Sequence, residues 1–447
     1  MIHKFSMYGT NIVVDVNSGA VHVFDSTAYD VLDYYKKEKK EEIADRLSVK
    51  YDRNDILEAV DEIRALEEGG QLFSEDEYKE YLPLWERKSL IKALCMHISH
   101  DCNLRCRYCF ASTGDFGGGR SMMSPEVGRK AIDFLVKESA GRRNLEIDFF
   151  GGEPLMNFGT VKKIIDYALG LQDKHDKKFR FTLTTNALQL NEEIKEYLNK
   201  NIQNVVMSID GREATNDRMR IKINGKGTYS DILPKIKDVA KSRNQDNYYV
   251  RGTYTRENTD FSRDVLHLAD EGFKQISVEP VVAAKDTGFD LREQDLPVLF
   301  EEYEKLALEY VEREKKGKGF NFFHFMLDLE QGPCVAKRLS GCGSGHEYVS
   351  VTPDGDIYPC HQFVGMEGFK MGNVFGGIID KDIQKTFKAS NIYTKNACRD
   401  CWAKFYCSGG CAANAFQFNR DINIPYKIGC ELEKKRVECS LWIKTKI

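Results

Sequence analysis

From residue 91 to about 282, short apolar runs alternate with longer segments whose apolar positions recur at helical spacing. The runs at 91–98, 145–150, 179–185, 204–209, 248–255 and 275–280 have the length and composition of strands. Between them, 126–138, 161–171, 191–199, 229–241 and 261–269 read as helices. Ser124 followed by Pro125 predicts an N-cap with proline in the first turn. Six such alternations predict an α/β fold, a parallel sheet with crossover helices. Sites in such sheets gather at the carboxyl ends of the strands.

The pattern differs outside that stretch. Residues 1–85 begin with β-prone runs at 3–7, 11–16 and 20–24, punctuated by Tyr8-Gly9 and Asn17-Ser18-Gly19. Helical segments follow at 26–35, 41–47 and 53–68, the last closed by Gly69-Gly70. Strands followed by three helices outline a winged-helix-like domain. Its third helix, NDILEAVDEIRALEE, is acidic, which argues against contact with a phosphate backbone. The KKEKKEE run from Lys36 reads as a solvated helix face. Residues 86–283 form the alternating region, and 284–333 a helical bridge dominated by an amphipathic 295–315. Residues 334–447 form a cysteine-rich C-terminal region.

A chain of 447 residues with 42% apolar content predicts two or three packed domains. The net charge of −4, with both signs interspersed, gives no nucleic-acid surface. MIHKFSMYGT has neither a basic nor an apolar signal region, and no apolar run reaches transmembrane length. The expectation is a cytoplasmic protein without membrane contact. Thirteen cysteines in that setting point to metal or redox chemistry rather than disulfides.

The chemistry concentrates after the first strand, in CNLRCRYC. Cys102, Cys106 and Cys109 place three thiolates within eight residues, enough for three irons of a [4Fe–4S] cube. One iron is left open. A zinc site normally takes four ligands, often from paired CxxC knuckles, and CxxxCxxC is an unusual spacing for it. GGEP follows the second strand, where Gly151 and Gly152 permit close approach of backbone to a ligand. Glu153, next to Pro154, can accept from an ammonium group. The third strand ends in Thr184-Thr185-Asn186 and the fourth in Ser208-Ile209-Asp210, short polar groups suited to a ribose or a carboxylate. Glu279, inside an apolar strand, is either a substrate-pocket carboxylate or a paired core acid.

The spacing CxxxCxxC, with Tyr108 before the third cysteine, resembles the signature of the radical S-adenosylmethionine (SAM) superfamily. That resemblance implies a partial (β/α)6 barrel and a cluster whose open iron is chelated by SAM. It further implies that GGEP meets SAM's methionine amino group. Tyr108, Thr184, Asn186, Ser208 and Asp210 would contact SAM, and Arg220 in DRMR would grip its carboxylate. Cys342, Cys360, Cys398, Cys401, Cys407, Cys411 and Cys430 resemble the seven-cysteine SPASM motif. It implies two auxiliary [4Fe–4S] clusters, three in all. Cys398, Cys401, Cys407 and Cys430 would bind the outer one; Cys342, Cys360 and Cys411 would bind the inner one. Either Cys334 completes the inner cluster or an iron stays open for a substrate thiolate. Cys95 and Cys439 remain, and mid-strand Cys95 reads as core.

The N-terminal outline resembles the peptide-recognition element of enzymes that modify ribosomally made peptides, where a leader peptide adds a strand to a sheet edge. The alternative is a domain that only docks on the enzyme. Taken together, the order of parts is most similar to the thioether-forming, sactisynthase-like maturases of six-cysteine clostridial (SCIFF) peptides. The implied reaction starts with an electron from an external flavodoxin- or ferredoxin-type donor. A 5′-deoxyadenosyl radical then abstracts hydrogen from the carbon that bonds to a cysteine sulfur. Oxygen-labile clusters fit an anaerobe. Two other readings are open. An anaerobic sulfatase-maturing enzyme, forming formylglycine, shares the barrel and clusters but carries aspartate where this chain has His361. An iron–sulfur DNA-binding redox sensor would have no use for GGEP.

Overall fold

The computed structural model describes residues 1–86, 89–283, 287–329 and 335–447. Strands β1 (Ile2–Met7), β2 (Thr10–Asp15) and β3 (Val21–Phe24) form an antiparallel sheet in that order, so β3 is an edge. Helices α1 (Ser26–Val31), α2 (Lys40–Leu47) and α3 (Arg53–Glu68) pack beside it. Asp25 caps α1 and Asp52 caps α3, each carboxylate accepting a free amide of the first turn. Ile56, Val60 and Ile63 recur on one face of α3 and bury against Val13, Val31 and Ile43. The first helix ends earlier than its periodicity suggests. The amides of Tyr34 and Tyr35 both turn back to the Val31 carbonyl, closing the helix before the charged run.

Strands β4 (Ala93–Ser99), β5 (Asn144–Gly151), β6 (Lys178–Thr185), β7 (Asn204–Ser208), β8 (Tyr248–Tyr254) and β9 (Gln275–Pro280) pair in parallel, in chain order. Helices α4 (Pro125–Glu138), α5 (Phe158–His175), α6 (Glu192–Asn201), α7 (Glu213–Met219), α8 (Tyr229–Ser242) and α9 (Phe261–Asp270) make the crossovers. Leu94, Met96, Ile98, Ile147 and Phe149 are buried in the main core. The alternate positions Cys95, His97, Asp148 and Phe150 take the opposite face. The Ser124 hydroxyl accepts from Val127 at the start of α4, as its position beside Pro125 predicts.

The sheet does not stop at the barrel. On one side α10 (Leu296–Lys315) leads to β10 (Asn321–Phe322), which pairs with β9. Beyond α11 (Val335–Ser340), β11 (Tyr348–Val351) pairs in parallel with β4 and turns into β12 (Asp356–Tyr358). Two short strands, β13 (Gly372–Asn373) and β14 (Gly377–Ile378), complete an eleven-stranded sheet. The C-terminal region continues with α12 (Lys381–Ala389), α13 (Asn396–Arg399), α14 (Lys404–Cys407), α15 (Ala412–Asn419) and α16 (Lys427–Lys444).

The N-terminal domain is pinned to this C-terminal region. The ring of His3 stacks on Trp402 with centroids 3.6 Å apart, and its Nε2 lies 3.1 Å from Glu438. Buried Lys404 pairs with Asp76 at 2.8 Å. Among the described residues, no helix is long and apolar enough to cross a membrane.

Candidate functional site

The register of β4 shifts between His97 and Ser99, and the cysteine loop follows directly. The loop is held mainly by backbone. Arg105 and Arg107 donate their amides to the carbonyls of Ile221 and Met219, and the Arg105 guanidinium bonds the carbonyls of Cys102 and Leu104. On the other side Gly152 and Glu153 donate to the carbonyls of Ser99 and Asp101. A Cβ on Gly151 would stand 2.3 Å from the Ser99 oxygen, and one on Gly152 2.2 Å from the Asp101 oxygen. The two glycines therefore let strand end and cysteine loop touch each other.

Cys102, Cys106 and Cys109 line one cavity at the carboxyl ends of the strands. Gly151, Gly152, Glu153, Thr184, Asn186, Ser208, Arg220 and Tyr108 share it. Pro154 and Asp210 are not in its wall. Pro154 opens the short turn Pro154–Asn157. Asp210 lies behind Tyr108, accepting the phenol at 2.8 Å while Arg220 donates to the same phenolic oxygen at 2.9 Å. Burial pushes the Asp210 carboxyl up to about 6 although Arg220 pulls the other way. Burial also opposes the charge on Arg220, but Tyr108, Cys106 and Asp210 outweigh it and hold the guanidinium protonated. Its Nε is buried without a hydrogen-bond partner among the described residues.

Glu153 is 1% exposed, and its carboxylate accepts from the Leu155 amide, the Thr185 hydroxyl and the Asn186 amide. A carboxylate offers about four lone-pair positions, so roughly one is left for a ligand. Asn186 spans to Asn103 at 2.7 Å and to the Cys102 sulfur at 3.7 Å. Thr185, part of the polar strand end, also faces the cavity, as do Phe110 and Phe150, which carry no signal in the sequence because a phenylalanine near a strand end is ordinary.

Burial pushes the Cys102 thiol up to about 12 and Cys106 up to about 11. Thiolates there need a cationic partner inside the cavity. Among the described residues, no three His, Cys, Asp or Glu side chains converge on a point that would hold a single ion. The donor set instead presents three sulfurs along one wall and an unpartnered guanidinium nitrogen nearby. That fits a cluster spread over several irons together with a small carboxylate.

A second cysteine group lies in the C-terminal region. Cys398, Cys401, Cys407 and Cys430 surround one cavity of about 350 Å³. Cys342, Cys360 and Cys411 lie within electrostatic reach of one another. Cys334 is outside the described residues. Lys395, 4% exposed, donates to the Gly409 carbonyl at 2.8 Å, between Cys407 and Cys411. Its position among cysteines of both groups has no sequence signal, since Lys395 stands in an ordinary polar stretch. The His361 ring lies tilted against Phe150 at 5.0 Å and edge-on to Phe110 at 5.7 Å, beside the first cavity. Burial, with Arg251 nearby, pushes its pKa down to about 4, so the imidazole is neutral at pH 7. Glu279 is paired: it accepts from Ser277 and lies 3.1 Å from His324. Cys95 is fully packed in β4 and Cys439 in α16.

The radical SAM superfamily model matches residues 96–265, the span that carries this loop and five of the six barrel strands. The chain is a radical SAM superfamily enzyme. Residues 342–402 match the SPASM iron–sulfur cluster-binding domain. SAM and a [4Fe–4S] cluster are its cofactors, and the SPASM domain takes further iron–sulfur clusters. The radical SAM cyclopropyl synthase TigE of Paramaledivibacter caminithermalis is 22% identical, over 96% of this chain and 93% of its own. A cysteine-type anaerobic sulfatase-maturating enzyme of Clostridium novyi is 24% identical over 72% and 89%. The solved structure of anSMEcpe with bound AdoMet superposes with a TM-score of 0.64 at 18% identity, covering 78% of this enzyme and 96% of that chain. It shares the fold.

Proposed function

We propose that this radical SAM enzyme is a maturase that forms thioether bonds between cysteine sulfurs and carbon atoms of a ribosomally made, cysteine-rich precursor peptide. The four-part organisation at 1–85, 86–283, 284–333 and 334–447 belongs to the same reading. One observation carries it. Strand β3 is an open edge, and between it and α3 runs a groove of about 700 Å³ lined by Val21, Val23, Phe24, Ile63 and Leu66. An extended peptide pairs with such an edge and packs side chains into the groove.

Bound SAM, on the reduced cluster, supplies hydrogen-atom abstraction. The chain's own residues do the rest. Cys102, Cys106 and Cys109 hold the cluster. The unpartnered Arg220 Nε takes the SAM carboxylate, and Tyr108 and Asp210 keep that guanidinium charged and aimed. The remaining lone pair of Glu153 accepts the SAM ammonium. Thr184, Asn186 and Ser208 offer short polar groups along the same wall. Cys398, Cys401, Cys407 and Cys430 would hold an outer auxiliary cluster, and Cys342, Cys360 and Cys411 an inner one; the substrate thiolate would bind there, and the electron released as the carbon–sulfur bond forms would pass to these clusters. The aromatic rings of Phe110 and Phe150 narrow the space where the acceptor carbon must sit. A flavodoxin- or ferredoxin-type protein delivers the electron.

The sulfatase-maturating reading is supported by the relative from Clostridium novyi and the fold of anSMEcpe. It assigns no task to the β3 groove, and neutral His361 stands where the resemblance calls for a carboxylate. The test is anaerobic. Reconstituted enzyme, dithionite, SAM and a six-cysteine precursor peptide are combined and the peptide weighed. A loss of two hydrogens per event, with a cysteine turned resistant to alkylation, is the expected result. Conversion of a sulfatase-derived cysteine peptide to formylglycine, with the precursor unchanged, would favour the other reading.

A further inference from the structure

A second large cavity, of about 680 Å³, lies where the N-terminal domain meets the barrel and α16. Its wall includes the β2–β3 turn Val16–Gly19, Phe323, Met326, Tyr406 and Arg436. Four residues of that wall hold a buried polar atom without a hydrogen-bond partner among the described residues: Asn17 Oδ1, His324 Nε2, Tyr406 Oη and Arg436 Nε. Buried polar groups are nearly always paired, so an acceptor, two donors and an imidazole nitrogen left in one wall need an explanation. Phe323 and Met326 are 50% and 59% exposed, an apolar surface at the same place.

The position of the cavity suggests the occupant. The groove beside β3 ends at Val21, and this cavity begins at Gly19, two residues before it in the chain. At its far side His324 both lines the cavity and lies 3.1 Å from Glu279 near the carboxyl end of β9, on the barrel interior. A polypeptide backbone presents carbonyl acceptors and amide donors alternately, which matches unpartnered donors and an unpartnered acceptor in one wall. Adjacent apolar side chains suit its extended side chains.

We propose that this cavity is a binding site for the extended segment of the substrate peptide immediately following the leader. It would carry that segment from the β3 edge to the barrel interior. The peptide then runs antiparallel to β3, because its downstream end must leave at Val21. This inference rests on the peptide-maturase reading above.

The experiment places p-benzoylphenylalanine at Val23 or at Phe323 in the reconstituted full chain and irradiates it with a six-cysteine precursor peptide. The expected cross-links fall in the leader from position 23 and in the residues just after it from position 323. Capture from position 23 with none from position 323, or with cross-links there to the leader itself, overturns the conduit and leaves the maturase reading standing. No capture from either position overturns both. Filling the cavity with Met326→Trp supplies a second measure. It raises KM for the full precursor about tenfold, equivalent to about 1.4 kcal/mol, while the affinity for a fluorescent leader peptide is unchanged. Equal KM for variant and wild type would overturn the conduit.

Discussion

The two sheets of this enzyme use the same element in opposite ways. The eleven-stranded sheet satisfies β4 on both sides, with β5 and β11, and does its chemistry through side chains and loops at the strand ends. The three-stranded sheet leaves β3 with one unpaired edge. Asp15 donates to the Ala20 carbonyl, so by the antiparallel alternation His22 and Phe24 bond β2 while Val21 and Val23 turn their amides and carbonyls outward. One sheet turns side chains toward a cofactor cavity; the other leaves backbone groups unpaired along an edge. The first should be sensitive to the identity of single side chains, and the second to little except a lost amide.

The largest effect expected is at the cluster loop. Cys106→Ala should cut formation of 5′-deoxyadenosine by at least about 10³-fold and lower the iron content, read by chromatography and iron assay. Next comes a side chain inside the barrel. Burial, with Glu146 adding to it, pushes Asp148 up to about 6. A carboxyl raised above its unfolded value of 3.8 favours the folded state only while protonated, so stability falls as pH rises from about 4 to 6 and the loss stays above that. Asp148→Asn should therefore raise the melting temperature at pH 8 by an amount worth no more than about 3 kcal/mol. The gain should shrink to nothing as pH falls toward 4.

The edge gives the smaller pair. Val23→Pro removes an outward amide without touching the β2 ladder. It should weaken leader-peptide binding about tenfold in a fluorescence titration, while peptide-independent SAM cleavage stays at the wild-type rate. Val23→Thr keeps the amide and the branched shape, and binding should change by less than about 0.5 kcal/mol. Equal losses from the proline and threonine variants would show that the groove reads side chains after all.

Periodicity placed all six barrel strands, and β9 to the residue, because a buried parallel strand is a short apolar run bounded by turns. It missed α7, whose sequence EATNDRM is too short and polar to repeat an apolar position. Yet α7 carries the chain to Arg220. The pairing of β11 with β4 was equally hidden, since register between distant strands depends on tertiary packing rather than local pattern. In the site, the cysteines were legible because their spacing is the chemistry. The three internal hydrogen bonds of Glu153, the placement of Asp210 behind Tyr108 and the burial of Lys395 were not. Each depends on which groups the fold brings alongside, and a lone acid or lysine in the sequence looks the same in any setting.

The Ser350 hydroxyl bonds the Cys95 carbonyl across 255 residues of chain, where β11 completes the far side of β4. On the ribosome, at 5–20 residues per second, that partner arrives roughly 10–50 s after β4 itself. Throughout that interval the strand leading into the cysteine loop has an unfilled edge. Cluster delivery during synthesis would meet a loop whose lead-in strand is paired on one side only. Truncation just before residue 348 should leave that edge open and lower the melting temperature of the barrel.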